Sequence, residues 1–154
     1  MPVEVSGRST LLEQDYGLPL LEAARQTGIF IAPGDFPRDS TSIVNGLNLH
    51  YLDWGNPRHP PVVFIHGYAQ NAHTWDFSAL ALRDSFHVIA IDLRGHGESD
   101  WSPQNDYSVQ AYLSDLAEMI RHLGLHSVTI VGLSLGGTIA YSFAALYPGK
   151  VDRL

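Results

Sequence analysis

The stretch with the clearest chemical meaning is Gly132-Leu-Ser134-Leu-Gly136, which follows an apolar β-branched run and precedes a helical pattern. A serine at the tip of a tight strand-to-helix turn is held in a strained backbone conformation that exposes its hydroxyl. Because the strand and the helix approach closely, the positions two before and two after this serine must be nearly free of side chain. Gly132 and Gly136 meet this need, so the spacing predicts a nucleophilic Ser134. The alternative is a structural serine in a glycine-rich turn.

A second stretch could complete this chemistry. It is the apolar run Pro61–Ile65, which is typical of a buried strand and ends in His66-Gly67-Tyr68. A loop at that position can supply a backbone N–H from Tyr68, and helix onset after Ser134 supplies another from Leu135. Two such donors would form an oxyanion hole, which stabilises the negative oxygen of a tetrahedral intermediate.

A third stretch follows: Phe86-His-Val-Ile-Ala-Ile91-Asp92-Leu-Arg94-Gly95-His96-Gly97-Glu-Ser99. With the three stretches in this order, the chain resembles the α/β-hydrolase family from about Thr41 to Leu154. The resemblance implies a mostly parallel, doubly wound α/β sheet. The tight turn at Ser134 corresponds to the nucleophile elbow of the family, and the sequence covers the fold only as far as the helix after this elbow. The family order is serine, then acid, then histidine. Because Ser134 is followed only by Asp152 and by no histidine, the catalytic acid and histidine are expected beyond residue 154.

The resemblance also implies roles for neighbouring residues. Gly67 and Tyr68 are expected to contact substrate, although a packed aromatic side chain is the alternative for Tyr68. His66 is expected to hold loop geometry rather than transfer protons, because it does not follow the last strand. Asp92 together with Arg94 is expected to tie the loop after its strand. Gly132 and Gly136 are expected to be structural at the site.

The sequence motifs give little support for a metal site or a nucleotide site. His96 lies in a family loop and is expected to be structural. His122 and His126 are four apart, but Gly124 lies between them and no H-E-x-x-H pattern is present. The elbow lacks the lysine of a phosphate-binding loop, and the glycines after Arg94 lack the third glycine of a dinucleotide fingerprint. We therefore expect neither a metal nor an organic cofactor.

Composition narrows the partners. Of the 154 residues, 45% are hydrophobic and 16% charged, as in ordinary soluble globular proteins. The net charge of −7 and the lack of a basic cluster disfavour nucleic acid. The absence of cysteine excludes disulfides and fits a reducing compartment. With neither a secretory signal nor an apolar run near the ~18 residues of a membrane span, we expect a soluble, cytoplasmic protein with a small-molecule substrate.

The chain divides into an N-terminal arm and linker, residues 1–40, and the first part of a hydrolase domain, residues 41–154. The arm includes one possible short helix over Leu18–Gly28. Asn45-Gly46 predicts a hairpin turn. Further helices are predicted over Asn71–Arg83, Val109–Leu123 and Thr138–Tyr147.

The leading hypothesis is a serine hydrolase that acts on a small carboxylic ester or lactone through an acyl-enzyme on Ser134. A C–C bond hydrolase of the same fold is an alternative, whereas epoxide hydrolases and haloalkane dehalogenases use a carboxylate nucleophile. If the chain were complete, it would be a catalytically incompetent binding or assembly module, or half of a split enzyme. The elbow strand would then lack a neighbour, which predicts a complementing chain or self-association at that edge.

Overall fold

The computed structural model of the protein describes residues 17–32 and 35–154. Its contacts divide the chain into two compact units, Met1–Phe36 and Pro37–Leu154. In the first unit, helix α1 covers Gly17–Thr27, where the sequence predicts a short helix. Of the arm and linker predicted over residues 1–40, residues 1–16 and 33–34 lie outside the described residues. No helix within the described ranges is long and apolar enough to cross a lipid bilayer.

The second unit is organised around a six-stranded sheet. Its strands are β1 (Arg38–Val44), β2 (Leu47–Asp53), β3 (Pro61–Ile65), β4 (His87–Ile91), β5 (Val128–Gly132) and β6 (Val151–Arg153). They are arranged in the order β1-β2-β4-β3-β5-β6. β2 is antiparallel to both β1 and β4, whereas β3 is parallel to β4 and β5, and β5 is parallel to β6. The predicted mostly parallel α/β sheet is therefore confirmed.

The hairpin between β1 and β2 forms as predicted. Asn45 and Gly46 both have positive φ, 50° and 81°, as a two-residue type I′ turn requires. β1 begins at Arg38, before residue 41, where the resemblance to the family begins, because Arg38 pairs with Asp53 through the backbone. The early part of this strand is polar and mostly exposed, so its pairing leaves no hydrophobic pattern in the sequence.

Three helices accompany the strands. They are α2 (Asp76–Leu82), α3 (Val109–His122) and α4 (Leu135–Leu146). The single helix predicted over Asn71–Arg83 is a 3₁₀ turn, Ala72–Trp75, followed by the short α2, and the Asn71 side chain caps the turn by accepting from the His73 N–H. α3 begins as predicted, because the Ser108 side chain accepts from the Ala111 N–H.

The helices lie on both faces of the sheet. Successive side chains of a strand point to opposite faces, and β3 shows how this builds two layers. Phe64 stacks on Trp75, which precedes α2, with 4.7 Å between ring centroids. Val63 and Ile65 belong to the opposite core, together with apolar residues of α3 and α4, namely Leu113, Leu116, Met119, Ile120, Ile139 and Phe143. Because β3 runs parallel to both β4 and β5, the carboxyl ends of these three strands lie at the same end of the sheet, from which the predicted site loops emerge.

Candidate active site

Ser134 occupies the sharp junction between β5 and α4. Its φ of 52° and ψ of −111° lie in a region that non-glycine residues rarely adopt. The Ser134 carbonyl accepts from the Thr138 N–H at 3.0 Å, so the backbone enters the helix directly. The side chain makes no capping hydrogen bond, and the residue is exposed. The predicted strand–turn–helix geometry is present, with the hydroxyl open to solvent.

The two elbow glycines are required by close backbone contacts. A Cβ atom on Gly132 would lie 2.3 Å from the Gly136 carbonyl oxygen. A Cβ atom on Gly136 would lie 2.2 Å from the carbonyl oxygen of Ile65, at the end of β3. Carbon and oxygen cannot approach this closely without moving the backbone. The predicted need for positions free of side chain therefore holds at both residues.

The loop after β3 lies against the elbow. A Cβ atom on Gly67 would lie 3.5 Å from the Ser134 Cβ. The Gly67 N–H donates to the Gln70 side-chain oxygen at 2.9 Å, a contact that the sequence analysis missed, although a polar residue three positions after a loop glycine could have suggested it. Within the described residues, neither the Tyr68 nor the Leu135 backbone N–H donates to an acceptor. Both donors predicted for the oxyanion hole are thus unengaged.

The alternative interpretation expected a packed Tyr68 side chain, but this side chain is not packed. It is 78% exposed, and its ring meets the edge of His96, with 5.9 Å between the centroids. The ring therefore projects from the loop that borders Ser134. Its contact with substrate stays a prediction.

His66 is completely buried and uses both ring nitrogens. Nδ1 lies 2.8 Å from the Gly67 carbonyl oxygen, and Nε2 accepts from the Leu93 N–H at 3.0 Å. A carbonyl only accepts and an amide N–H only donates, so the ring is neutral, with its proton on Nδ1. Burial lowers the pKa of His66 and so maintains this neutral form. With both nitrogens engaged, His66 joins the loops after β3 and β4.

Asp92 and Arg94, which were expected together to tie the loop after β4, contact that loop through separate partners and not through each other. The Asp92 carboxylate accepts from His50 Nδ1 at 2.8 Å and from the backbone N–H groups of Ala72 and Glu98. His50 Nε2 also donates, at 2.9 Å, to Asp39. Burial opposes a charge on this ring, but the two carboxylates outweigh it and raise the pKa of His50. The buried His50 and Asp92 thus connect β2 with the loops after β3 and β4.

Arg94 instead contacts α3. Its guanidinium donates twice to the Asp115 carboxylate, both at 2.6 Å, and once to the Asp106 carbonyl. The Asn45 side chain donates to the same Asp115 carboxylate at 2.9 Å. Sequence analysis could not identify these partners, because nothing in the local pattern indicates which distant acid a buried arginine meets.

The remaining acid and histidine candidates lie elsewhere. Asp152, for which no catalytic role was expected, accepts from the Ser127 hydroxyl at 2.8 Å in an exposed setting. Among the described residues, no group of three or more histidine, cysteine or acidic side chains is placed to hold a metal ion. The candidate site in the described part of the chain thus consists of Ser134, the backbone N–H groups of Tyr68 and Leu135, and the buried His66 that joins two loops.

Comparison with known families bears directly on this arrangement. The family model of the alpha/beta hydrolase fold matches residues 60–154. The chain belongs to the alpha/beta hydrolase fold family. The matched range of this alpha/beta hydrolase contains the elbow, the loop after β3 and the loop after β4.

Similar proteins in this family include both esterases and epoxide hydrolases. An esterase of Mycobacterium tuberculosis is 37% identical over 135 residues, which are 88% of this chain and 43% of that protein. Epoxide hydrolase 3 of Xenopus tropicalis is 35% identical over 111 residues, 71% of this chain and 30% of that protein. The crystal structure of epoxide hydrolase A from Mycobacterium thermoresistibile is 29% identical, with a TM-score of 0.71, over 75% of this chain and 37% of that one. The chain therefore spans less than half the length of each of these three hydrolases.

Proposed function

We propose that this chain carries the nucleophile and oxyanion hole of a serine hydrolase that acts on small carboxylic esters or lactones. The observation that carries the proposal is the placement of Ser134. Its exposed hydroxyl stands at a strained turn, and the loop that bears the unengaged Tyr68 N–H lies directly beside it. The Leu135 N–H, at the positive end of α4, is the second donor.

The reaction would proceed through an acyl-enzyme. Ser134 Oγ attacks the ester carbonyl carbon while a histidine, contributed from outside residues 1–154, removes the hydroxyl proton. The negative oxygen of the tetrahedral intermediate accepts from the Tyr68 and Leu135 N–H groups. The C–O bond then breaks, and the histidine returns the proton to the departing alcohol. Water hydrolyses the acyl-serine by the same steps and releases the acid.

The residue at the elbow distinguishes ester from epoxide chemistry. A carboxylate nucleophile that opens an epoxide forms an ester, which water can hydrolyse. A serine hydroxyl would form an ether instead, and an ether has no carbonyl carbon for water to attack. The serine at position 134 therefore supports carbonyl substrates, although epoxide hydrolases are among the chain's relatives.

The proposal can be tested by locating the acyl group. The 154-residue chain is incubated with p-nitrophenyl acetate, with and without imidazole as an external base, and peptide mass spectrometry identifies acetylated residues. We expect little turnover without imidazole, and acetylation of Ser134 that rises when imidazole is added. Ser134→Ala should abolish this acetylation. Ser142→Ala on the same helix is the matched control and should leave it unchanged.

Three outcomes would contradict parts of this proposal. Undiminished acetylation in Ser134→Ala would exclude Ser134 as the nucleophile. Turnover at the rate of a complete serine hydrolase without imidazole, lost in Ser134→Ala, would show that the 154 residues contain their own base. Conversion of styrene oxide to its diol, dependent on Ser134, would contradict the ester class.

A further inference from the structure

We propose that His66 is the positioning residue of the oxyanion hole. Its Nδ1–H holds the Gly67 carbonyl so that the Tyr68 N–H faces Ser134, and a second proton on the imidazole ring releases that N–H. The inference rests on the proposed function, because it treats the Tyr68 N–H as an oxyanion donor. It adds a role for a residue that does not itself touch substrate.

One peptide unit links the carbonyl that His66 holds to the proposed oxyanion donor. The Gly67 carbonyl and the Tyr68 N–H belong to the same planar peptide group, which is trans like every peptide bond in the described residues. In a trans peptide, the carbonyl and the N–H point in opposite directions. Fixing the Gly67 oxygen against His66 Nδ1 at 2.8 Å therefore also fixes the direction of the Tyr68 N–H.

The His66 ring is itself anchored by the fold. His66 is fully buried, and its Nε2 accepts from the Leu93 N–H at 3.0 Å. The imidazole is thus held from the loop after β4 and holds the loop after β3. The Gln70 N–H also donates to the Gly67 oxygen, at a longer 3.3 Å. Of the two donors, the His66 ring is the closer.

A second proton on the His66 ring would break this arrangement. A proton on Nε2 would place two donors, Nε2–H and the Leu93 N–H, against each other at 3.0 Å. The ring would have to turn or shift, and the bond from Nδ1 to the Gly67 oxygen would break with it. The Tyr68 N–H would then lose its direction. Acidification should therefore disable the oxyanion hole when the His66 ring takes up its second proton.

The surroundings of His66 set the pH at which this happens. Burial is the largest influence and lowers the pKa of the ring; the nearby His96, whose ring centroid lies 5.1 Å away, lowers it further. The hydrogen bond to the Gly67 carbonyl raises the pKa of the ring, and so does the Asp92 carboxylate, which is itself paired with His50. α4 meets His66 through Gly136, which carries no titratable group. The release should thus occur below the usual histidine pKa of about 6.5.

The decisive measurement is an NMR titration of the 154-residue chain. Long-range ¹H–¹⁵N spectra report which ring nitrogen of His66 carries the proton, and amide spectra follow Tyr68 and Leu93. We expect a proton on Nδ1 at neutral pH. On acidification, the Tyr68 and Leu93 amides should shift with the same midpoint as the His66 ring. A proton on Nε2 at neutral pH, or a Tyr68 amide that stays fixed while the ring titrates, would overturn the proposal.

Two variants separate positioning from simple packing. His66→Asn places an amide N–H near the position of Nδ1 but cannot titrate, so it should retain the neutral-pH Tyr68 amide position down to acidic pH. His66→Leu removes the donor and should shift that amide at every pH. His96→Gln is the control for the neighbouring ring. Loss of the Tyr68 titration in His96→Gln, with His66 intact, would overturn the proposal.

A kinetic readout links this role to the chemistry and keeps the two proposals distinguishable. Imidazole-assisted acetylation of Ser134 should fall on acidification with the His66 midpoint in the wild type, after correction for protonation of the added imidazole. The His66→Asn variant should not show that fall. The NMR response requires no turnover: if it occurs without any acetylation of Ser134, the proposed function fails, while the link between the His66 proton and the Tyr68 N–H stands. Acetylation that is insensitive to the His66 titration would instead contradict the positioning role alone.

Discussion

Gly136 and Gly137 are adjacent at the start of α4 but have very different surroundings. A Cβ atom on Gly136 would meet the Ile65 carbonyl oxygen at 2.2 Å, whereas one on Gly137 would meet the nearest atom, the Gly132 carbonyl oxygen, at 3.4 Å. The first distance is a clash with backbone, and the second is an ordinary contact. Only one of the two glycines is therefore needed to pack the elbow against β3.

This contrast gives a prediction at the residue scale. Gly136→Ala should lower the free energy of unfolding by about 3 kcal/mol, the upper end of typical overpacking costs. Gly137→Ala should leave it unchanged or raise it by up to about 1 kcal/mol, because alanine favours helix over glycine. Urea denaturation of both variants measures the difference. Equal stabilities for the two would mean that the backbone yields easily at Gly136.

At the scale of elements, the ion pair between Arg94 and Asp115 holds the loop after β4 onto α3. Both side chains are buried, and Asn45 brings the tip of the β1–β2 hairpin to the same carboxylate. On the same helix, Glu118 pairs with Arg121 at the surface. The two ion pairs share one helix but differ in their access to water.

Asp115→Ala should lower the free energy of unfolding by about 3–5 kcal/mol, because it leaves the Arg94 guanidinium buried without its counter-ion. Glu118→Ala should leave the denaturation midpoint essentially unchanged, since water screens an exposed pair. The same urea series measures both variants. A loss for Asp115→Ala no larger than for Glu118→Ala would show that Arg94 finds another partner.

At the scale of the whole molecule, the outer edge of β5 is only partly covered. β6 pairs with Val128 and Thr129 but not with the last residues of β5, so the predicted unpaired edge is correct for only part of the strand. Beside it lies a cavity of about 310 Å³, lined by Ile130, Val131, Gly132, Gly137, Ala140 and Leu154. An apolar strand edge of this kind favours pairing with another chain.

We therefore expect the 154-residue chain to self-associate through this edge. Sedimentation velocity over a range of concentrations should show species heavier than one chain. Val131→Lys, which places a charge at the edge, should reduce association. Tyr141→Lys, at a site 71% exposed on α4, is the control and should not. A wild-type chain that sediments as a monomer and melts cooperatively would contradict this expectation.

The sequence by itself determined the elbow, the hairpin turn and the α/β class, because each depends on local requirements. The five-residue pattern of Ser134 and its two flanking glycines is enough to indicate the turn, although the clash that requires Gly136 is with Ile65 of β3. The type I′ turn needs only Asn45-Gly46. Only the tertiary structure decided the partners of buried polar groups. Asp92 meets His50, Arg94 meets Asp115, and His66 bridges two loops, because each of these contacts joins residues from different strands, loops or helices. Such pairings follow from how the elements pack, and the local pattern around either partner is the same whether or not they meet.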